Sequence, residues 1–376
     1  MNGRPFISLL LAAVCLPMAT GCAIEPELHL KQPVEARVVL NAQVNVDLMW
    51  QVGWEALWDF HWDTEVLGPV GYEIPASIRL HVYPQGPDGA PVSHTEHNFV
   101  GHSTLLEVTP GTYNLLFNNN DSEALLFRSE TDLSDIYSYT RTISSGLKAS
   151  FPVLTVAQKL AADTKAGEPE EEPVVLTPDG LFTLYDSSRH ISANPADLVY
   201  ENGRYILRIE GQLHPSTFIY LIQVRLLNNM GRVVGSSGGA AITGMAEGVN
   251  LMTQETEAKT VSVPMDVYMD KEQDLLGAKV YTFGIPGGNP YSKASMEEAP
   301  EGRHYLVINI SYVNGSNRNI RADITDQVRA NPTGGVITLD LDVDDFPPDE
   351  SAGGTGGFNA LIGGWDEETG STTIIY

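Results

Sequence analysis

The sequence predicts an all-β protein with two antiparallel β-sandwich domains in tandem. Short apolar runs recur at roughly ten-residue spacing between Gly, Pro and Asn turn signals, and helical patterns are few. The run from Ala42 to Trp62 is apolar at every even position and mostly polar at the odd ones. Because successive strand side chains point to opposite faces, this run predicts a long strand with one buried face, bent or divided near Gly53.

Length, composition and charge limit the class of protein. The 376 residues are 42% hydrophobic, which suits the cores of about two domains. The formal net charge of −26 becomes −27 once residues 1–21 leave, because Arg4 is their single charged residue. Such an acidic chain is not expected to bind nucleic acid or to dock electrostatically on anionic lipid. After the N-terminus, no apolar stretch approaches the length of a membrane span.

The N-terminus carries an export signal. Residues 1–21 combine Arg4, an apolar run too short to span a membrane, and small residues before Cys22. Ala19 and Gly21 resemble the positions of a bacterial lipobox, which implies cleavage after Gly21 and acylation of Cys22. The alternative is an ordinary signal peptide with an unmodified cysteine. Since Cys15 leaves with the signal, the mature chain keeps one cysteine and cannot form an internal disulfide.

Five segments are predicted along the chain. Residues 1–21 are the signal peptide, 22–162 the N-terminal sandwich, 163–175 an exposed acidic linker, 176–346 the C-terminal sandwich, and 347–376 a Gly/Pro-rich spacer with a final strand. In the first sandwich we expect a helix at 154–162 and strands at 34–40, 77–83, 92–99, 105–108, 112–117 and 124–127. In the second we expect strands at 182–185, 205–211, 218–227, 232–234, 260–268, 279–283, 305–313, 320–328 and 336–343. The apolar residues 372–376 are suited to pair with a sheet edge of this chain or of a partner.

Two motifs resemble catalytic or metal sites but favour simpler interpretations. Residues 235–239 match the G-x-S-x-G pattern around Ser237, but a poor helix follows, so a Gly/Ser turn is predicted. A second group, formed by His94, Glu96, His97 and His102, lacks a recognised metal-binding spacing. We therefore expect these histidines to be solvated, with His94 and His97 on opposite faces of a strand.

Aspartates and tryptophans form two further patterns. The aspartates at 340, 342, 344 and 345 lack the glycine and closing glutamate of a calcium loop, and they alternate with Leu339 and Leu341. They predict the solvated face of a strand, and calcium on the adjacent turn remains an alternative. Four of the five tryptophans lie between Ala42 and Trp62, where core packing is favoured over a sugar-stacking platform. No catalytic residue, cofactor or metal site is predicted.

Several short motifs together resemble a known family. They are the lipobox at Cys22, the strand 77–83, the hairpin 109–118, the glycine-rich stretch 239–251, and Gly363-Gly-Trp365 near the end. The chain resembles the fimbrillin-type lipoproteins of Bacteroidetes type V pili, in which two transthyretin-like sandwiches follow a lipobox. The tryptophan run with residues 119–123 and 143–147 is similar to an uncharacterised branch of that group.

The resemblance implies a structural role without catalysis. It implies a fimbrial anchor, tip or accessory subunit, or an adhesin, held on the outer membrane through acylated Cys22 and exposed at the cell surface. Its implied partners are outer-membrane lipid, pilus subunits bound by strand addition, and a glycan or host surface. Stalk subunits of this group are cut after a basic residue near the first strand. Arg37 is the candidate here, but it lies inside a predicted strand, which favours a non-polymerising subunit. The alternative function is an outer-membrane glycan-binding lipoprotein.

Overall fold

The computed structural model describes residues 34–42, 54, 56–144, 153–154, 172–201, 204–349 and 372–375. Within them the chain is almost entirely β and mostly antiparallel, which confirms the predicted fold class. Helix among these residues is limited to α1 (Thr64–Leu67), α2 (Lys293–Glu298) and α3 (Thr325–Ala330), three 3-10 helices at 133–135, 195–197 and 343–345, and helical positions at 54 and 153–154. The signal peptide, Gly21 and Cys22 lie outside the described residues, as do 43–53, most of the predicted helix at 154–162, and Gly363-Gly-Trp365.

Twenty-one strands are described, numbered in chain order. Those of the N-terminal half are β1 (Val34–Ala42), β2 (Ser77–Pro84), β3 (Thr95–Val100), β4 (Ser103–Val108), β5 (Gly111–Asn119), β6 (Leu125–Arg128), β7 (Tyr137–Thr140), β8 (Phe182–Ile191), β9 (Val199–Glu201) and β10 (Arg204–Pro215). Those of the C-terminal half are β11 (Phe218–Leu227), β12 (Val233–Gly235), β13 (Ala240–Ala246), β14 (Gly248–Asn250), β15 (Thr260–Met265), β16 (Tyr268–Asp270), β17 (Leu275–Thr282), β18 (Tyr305–Tyr312), β19 (Asn317–Asp323), β20 (Gly335–Asp342) and β21 (Thr372–Ile375).

The first sheet folds over its own core. Its strand order is β3-β2-β5-β8-β10-β1-β4, with β9 added to β10. Strands β8 and β10 are in register at only two residue pairs, so the sheet divides there into two halves. Side chains of both halves, among them Leu80 on β2 and Leu213 on β10, belong to one buried cluster, which we call the N-terminal cluster. The alternation of apolar residues along β2 therefore serves the core as predicted.

The C-terminal half contains the largest core. A sheet in the order β16-β17-β11-β20 faces a second sheet in the order β15-β13-β18-β19-β21, in which β12 also pairs with β18. Between them lies the C-terminal cluster, which includes Tyr220, Ile222 and Val224 from β11. The alternate β11 residues Ile219 and Leu221 are equally buried but join the N-terminal cluster. Since both faces of β11 are covered, this strand is an almost continuous apolar run.

Hydrogen bonds also cross the predicted division at 163–175. Strands β8 and β10 follow that division, yet they pair with β5 and β1. A small sheet, β14-β7-β6, likewise combines strands from both halves. Of the predicted linker, Glu172, Val174 and Val175 are buried, and backbone bonds join Pro173 and Val175 to Ser262. The exposure expected of the linker therefore does not hold for these residues, and the domain boundaries stay a prediction.

The predicted strand through the tryptophans is wrong where the structure describes it. The backbone N–H of Trp58 donates to the carbonyl of Trp54 at 2.8 Å, which is one helical turn. Residues 56–63 contain no strand, and α1 follows with its N-terminus capped by the Asp63 carboxylate. The run fits both the two-residue period of a strand and, through the four-residue spacing of its tryptophans, a helical turn. Packing on the neighbouring sheet favours the helical turn.

The strand predicted over 320–328 is shorter than expected and is followed by a helix. The sequence predicts a strand over 320–328, whereas β19 ends at Asp323 and α3 begins at Thr325. The Asp323 carboxylate accepts a hydrogen bond from the backbone N–H of Thr325 at 3.0 Å. Such a side-chain bond to the backbone two residues on turns the chain, so apolar residues such as Val328 are buried from a helix instead of a strand.

Candidate functional site

Strand β1 holds Arg37, the predicted processing position, in the interior of the first sheet. Arg37 is in register with Leu105 of β4 on one side and with Arg208 of β10, in parallel, on the other. The prediction that Arg37 lies within a strand is confirmed. A protease needs to bind the scissile segment as a free extended chain, and a backbone paired on both sides is not free in this form.

The tail strand β21 occupies the edge of the C-terminal half. It pairs in parallel with β19, and the register runs from Asn319 opposite Thr372 to Ala322 opposite Ile375. Of the two pairings left open by the sequence, the structure shows pairing with the chain's own sheet. An unpaired β19 edge would present a row of backbone donors and acceptors, which is the template that strand addition uses.

The described tryptophan region lies across the face of β11 and β17 that points away from the C-terminal cluster. We call Trp54 and residues 56–72 the aromatic segment. Gln223 of β11 fixes it, because its amide accepts from the Asp59 N–H at 2.8 Å and donates to the Leu57 carbonyl at 2.7 Å. Lys279 of β17 donates to the carbonyls of Pro69 and Gly71 at 2.7 and 3.0 Å. Burial lowers the pKa of Lys279 to about 8.

Phe60 is the most deeply buried aromatic residue of this segment, and a glycine makes room for it. Its ring lies over Gly277 of β17, where an added Cβ would come 2.5 Å from the Phe60 Cγ. We predict that Gly277→Ala lowers the free energy of unfolding by about 1–3 kcal/mol, because the ring must shift. Gly180→Ala is the matched control, since its added Cβ meets nothing closer than 3.7 Å. Chemical denaturation of both variants measures the difference, and equal midpoints would contradict the packing described.

A cavity of about 540 Å³ adjoins the aromatic segment. Its lining includes the aromatic residues Trp62, Tyr268 and Tyr281 and the charged residues Lys279 and Asp266. Trp62 and Tyr268 meet edge to face with ring centroids 5.7 Å apart. Thus the tryptophans divide between two roles: Trp54 and Trp58 pack against the N-terminal cluster, and Trp62 borders a cavity.

The Gly/Ser motif is a turn, as predicted. It connects β12 to β13, so a strand and not a helix follows Ser237. The Ser237 hydroxyl lies within hydrogen-bonding distance of the side-chain oxygens of Asn309 and Asn317, at 3.1 and 3.0 Å. Gly239 has a φ of 67° and would place a Cβ 2.8 Å from the Met265 carbonyl oxygen, so this turn requires glycine.

The aspartates near the end of β20 form the solvated face that the sequence predicts. Asp340 pairs with Arg225 at 3.4 Å and Asp344 with Arg232 at 2.6 Å, while Leu341 and Val343 are buried between them. The side-chain amide of Asn228 donates to Asp342 and lowers the pKa of that carboxyl. These carboxylates are thus engaged by cations and an amide of their own surroundings.

The histidines that cluster in the sequence do not stay together in the structure. Only His94 and Glu96 of that group meet, and they do so around His81, which was not part of it. His94 and Glu96 converge on His81 of β2, whereas His97 is in register with Leu80 and lies on the opposite face. His81 is fully buried, and the His94 side chain is only 10% exposed, so the predicted solvation of His94 is wrong. His94 contacts His81, so it lies on the side of β2 opposite to His97, as predicted. His102 instead contacts the Pro75 carbonyl at 2.7 Å.

Short distances define this group, which we call the histidine site. His81 Nδ1 lies 3.1 Å from His94 Nε2, and the two nitrogens lie 4.0 and 3.8 Å from Glu96 Oε1. Burial lowers the pKa of His81 to about 4, so its imidazole is neutral at physiological pH. Two imidazoles and a carboxylate are a ligand set that proteins use for zinc.

His81 cannot be found among residues adjacent to His94 along the chain, because it lies 13 positions earlier, on the other strand of the hairpin. A signal was present: the turn residues 85–89 predict a hairpin, and its register places Glu96 opposite His81. Pairing the two predicted strands across that turn would have brought His81 into the cluster.

The described residues thus define an all-β protein of packed antiparallel sheets, with strand-edge features and one cluster of metal-ligand side chains. The family model for a domain of unknown function, DUF5119, matches residues 59–266, more than half of the chain. The chain belongs to this family. A comparison with curated proteins gives no match.

Among solved structures, the chain is similar to a candidate adhesin from Bacteroides ovatus ATCC 8483, with 15% identity and a TM-score of 0.47 over 86% of this chain and 97% of that one. It is also similar to the fimbrial anchor protein Mfa2 from Porphyromonas gingivalis, with 12% identity and a TM-score of 0.41 over 82% and 90% of the two chains. The tip fimbrial protein Mfa3 of the same species has 8% identity and a TM-score of 0.33 over 77% and 81%. None of the helices described here is long and apolar enough to cross a membrane.

Proposed function

We propose that this protein is a cell-surface lipoprotein of fimbrial or adhesin type, acting as an anchor, tip or accessory subunit without catalysis. Acylated Cys22 holds it on the outer membrane, because two or three acyl chains bind a bilayer stably where one is marginal. The sequence supports this through the lipobox and the family motifs given above. The acidic net charge is compatible with this proposal. Such a chain is not attracted to anionic lipid, so acylation is the main interaction that would hold it on the membrane.

The observation that carries the non-polymerising form of the proposal is the position of Arg37. Strand β1 is paired along both edges, with eight residue pairs to β10 and six to β4. Cleavage after Arg37 would divide this strand and leave residues 38–42 in the sheet, so no complete groove would open for a partner's strand. The chain therefore keeps β1 and contacts other subunits through a different edge.

A variant pair in the native host tests the lipid anchor and the intact β1 together. Intact-mass spectrometry of the wild-type protein is expected to give an acylated N-terminus at Cys22, and protease added to whole cells is expected to degrade it. Cys22→Ser is expected to leave the membrane fraction, whereas Arg37→Gln is expected to match the wild type in mass and location. An unlipidated wild-type N-terminus, or full protection from protease, would refute the surface-lipoprotein proposal. A start at Val38 that is lost in Arg37→Gln would refute the non-polymerising form.

Glycan binding is the second candidate function, favoured by the cavity beside Trp62. Aromatic rings that border a cavity together with Lys279 and Asp266 offer stacking faces and hydrogen-bonding groups for a sugar. If this function holds, capsular or host polysaccharide quenches tryptophan fluorescence of the wild-type protein but not of Trp62→Phe. Tyr291→Phe, on a tyrosine outside this lining, is the control that keeps the response. Quenching that is the same in Trp62→Phe would exclude the cavity as the site.

A further inference from the structure

The histidine site has an internal arrangement that the packing of the sheet alone does not require. His81 projects from β2 on the face opposite to Leu80, in register with Leu116 of β5 and Glu96 of β3. His94 comes from the chain just before β3 begins. Three side chains from one hairpin thus bring two imidazole nitrogens and a carboxylate oxygen to within 4.8 Å of one another.

Asn118 of β5 fixes the tautomer of His81. The Asn118 Nδ2 donates to the Asn119 carbonyl at 2.9 Å, which leaves its Oδ1 as the acceptor facing His81. His81 Nε2 lies 3.0 Å from this oxygen and must carry the hydrogen. The neutral ring therefore directs the unprotonated Nδ1 towards His94 and Glu96. Metal-binding histidines are typically oriented in this way, by a hydrogen bond from the second ring nitrogen to an oxygen.

His94 and Glu96 are also held in place. The His94 ring stacks on Tyr83 with centroids 4.7 Å apart, and the Tyr83 hydroxyl donates to the Glu130 carbonyl at 2.6 Å. The Glu96 carboxylate directs Oε1 to the two histidines, while Oε2 lies 3.9 Å from Arg79 Nε. Arg79 in turn pairs with Glu130 at 2.9 Å. This carboxylate partly neutralises the positive charge of Arg79, which therefore repels a bound cation less.

We propose that His81 Nδ1, His94 Nε2 and Glu96 Oε1 bind a divalent transition-metal ion of the zinc class. Two imidazoles with one carboxylate suit such ions, whereas calcium and magnesium prefer sites made of oxygen alone. Zinc bonds of about 2.0–2.1 Å in a tetrahedron place ligand atoms about 3.3 Å apart. The nitrogens are already at 3.1 Å, so binding requires that the Glu96 carboxylate move inward and that the His94 ring hydrogen move from Nε2 to Nδ1.

The site leaves a coordination position on its solvent side. His81 is fully buried and His94 nearly so, but the Glu96 side chain is 36% exposed and forms the open rim. Water or a side chain from another protein completes the tetrahedron there. Coordination ties β2 to the chain entering β3, and so it rigidifies the first hairpin of the N-terminal half. This site is independent of the proposed surface role.

Without a metal ion, the same contact is a hydrogen bond from His94 Nε2–H to His81 Nδ1. A protein that makes only this hydrogen bond would not bind metal, so a metal titration distinguishes the two interpretations. Titration of the chelator-treated mature chain with Co²⁺ is expected to give one saturable site with visible d–d absorption, displaced by Zn²⁺. His94→Gln and Glu96→Gln each remove one of three ligands and are expected to weaken binding at least about tenfold. His97→Gln, on the opposite face of the same hairpin, is the matched control and is expected to bind as the wild type does.

Thermal unfolding gives a second measurement that does not depend on colour. Zn²⁺ is expected to raise the Tm of the wild type and of His97→Gln but not of His94→Gln, because an ion that binds only the folded state stabilises it. Because His81 is completely buried, its replacement would also disturb the fold, so the test relies on His94 and Glu96. The proposal is overturned if no saturable site is found, or if His94→Gln binds Co²⁺ with wild-type affinity.

Discussion

Phe60→Ala is expected to lower the free energy of unfolding by about 3–5 kcal/mol, the range measured when a buried phenylalanine is truncated. Phe60 is only 5% exposed, and its ring contacts those of Trp58 and Trp62 at centroid distances of 5.7 and 6.2 Å. The cavity left behind is bordered by the Gly277 backbone of a paired strand, which cannot collapse to fill it. Chemical denaturation of the mature chain, followed by tryptophan fluorescence, measures the change.

Leu57→Ala is the control for Phe60→Ala, because Leu57 belongs to the same segment but is 58% exposed. Its cost is expected to stay within about 0.5 kcal/mol. A double-mutant cycle sharpens the test: Gly277→Ala should cost much less when Phe60 is already alanine, since the ring it collides with is gone. Additive effects of the two substitutions would mean that the aromatic segment does not lie on β17.

Lowering the pH from about 7 to about 4.5 is expected to destabilise the protein through His304, by about 2–3 kcal/mol. His304 is fully buried, and burial, together with the charge of Arg329, lowers its pKa from 6.5 to about 4, although Asp323 acts in the opposite direction. Between these two pKa values the unfolded chain binds a proton that the folded chain does not. Stability therefore falls as the pH drops through this window and is unaffected above it.

The variant His304→Gln isolates this contribution. Its unfolding free energy, compared between the same two pH values, should fall by about 2–3 kcal/mol less than that of the wild type. The pKa of His81 is lowered in the same direction, but His81 is present in both proteins and cancels in the comparison. Parallel stability curves for wild type and variant over this range would contradict the burial of a neutral His304.

Strands with one or two clearly buried faces could be predicted from the sequence. The alternation along β2 and the continuous apolar run of β11 gave both elements to within a residue at each end. Local patterns suffice there because burial follows the two-residue period of the strand. The Gly/Ser turn and the solvated aspartates were predictable for the same reason, since their neighbours in sequence are also their neighbours in space.

Features that depend on distant pairings could not be predicted in this way. The aromatic segment alternates like a strand, but it lacks a strand partner among the described residues and is fixed by Gln223 and Lys279 from β11 and β17. The histidine site needed the register of a hairpin to bring His81 to Glu96. For the aromatic segment the missing information was which strands lie beneath it, and local patterns do not contain it, whereas for the histidine site the turn at 85–89 indicated the pairing.

The parallel pairing of β1 with β10 has a consequence for the order of folding. β1 is the first of the described strands to be synthesised, but β10 belongs to the second half of the chain, so closing this ladder encloses a very long loop. Until β1 pairs with them, the edges of β4 and β10 lack a strand partner and could pair with another extended segment. The tether of β1 to its own chain favours it for this position, because it gives β1 a high effective concentration.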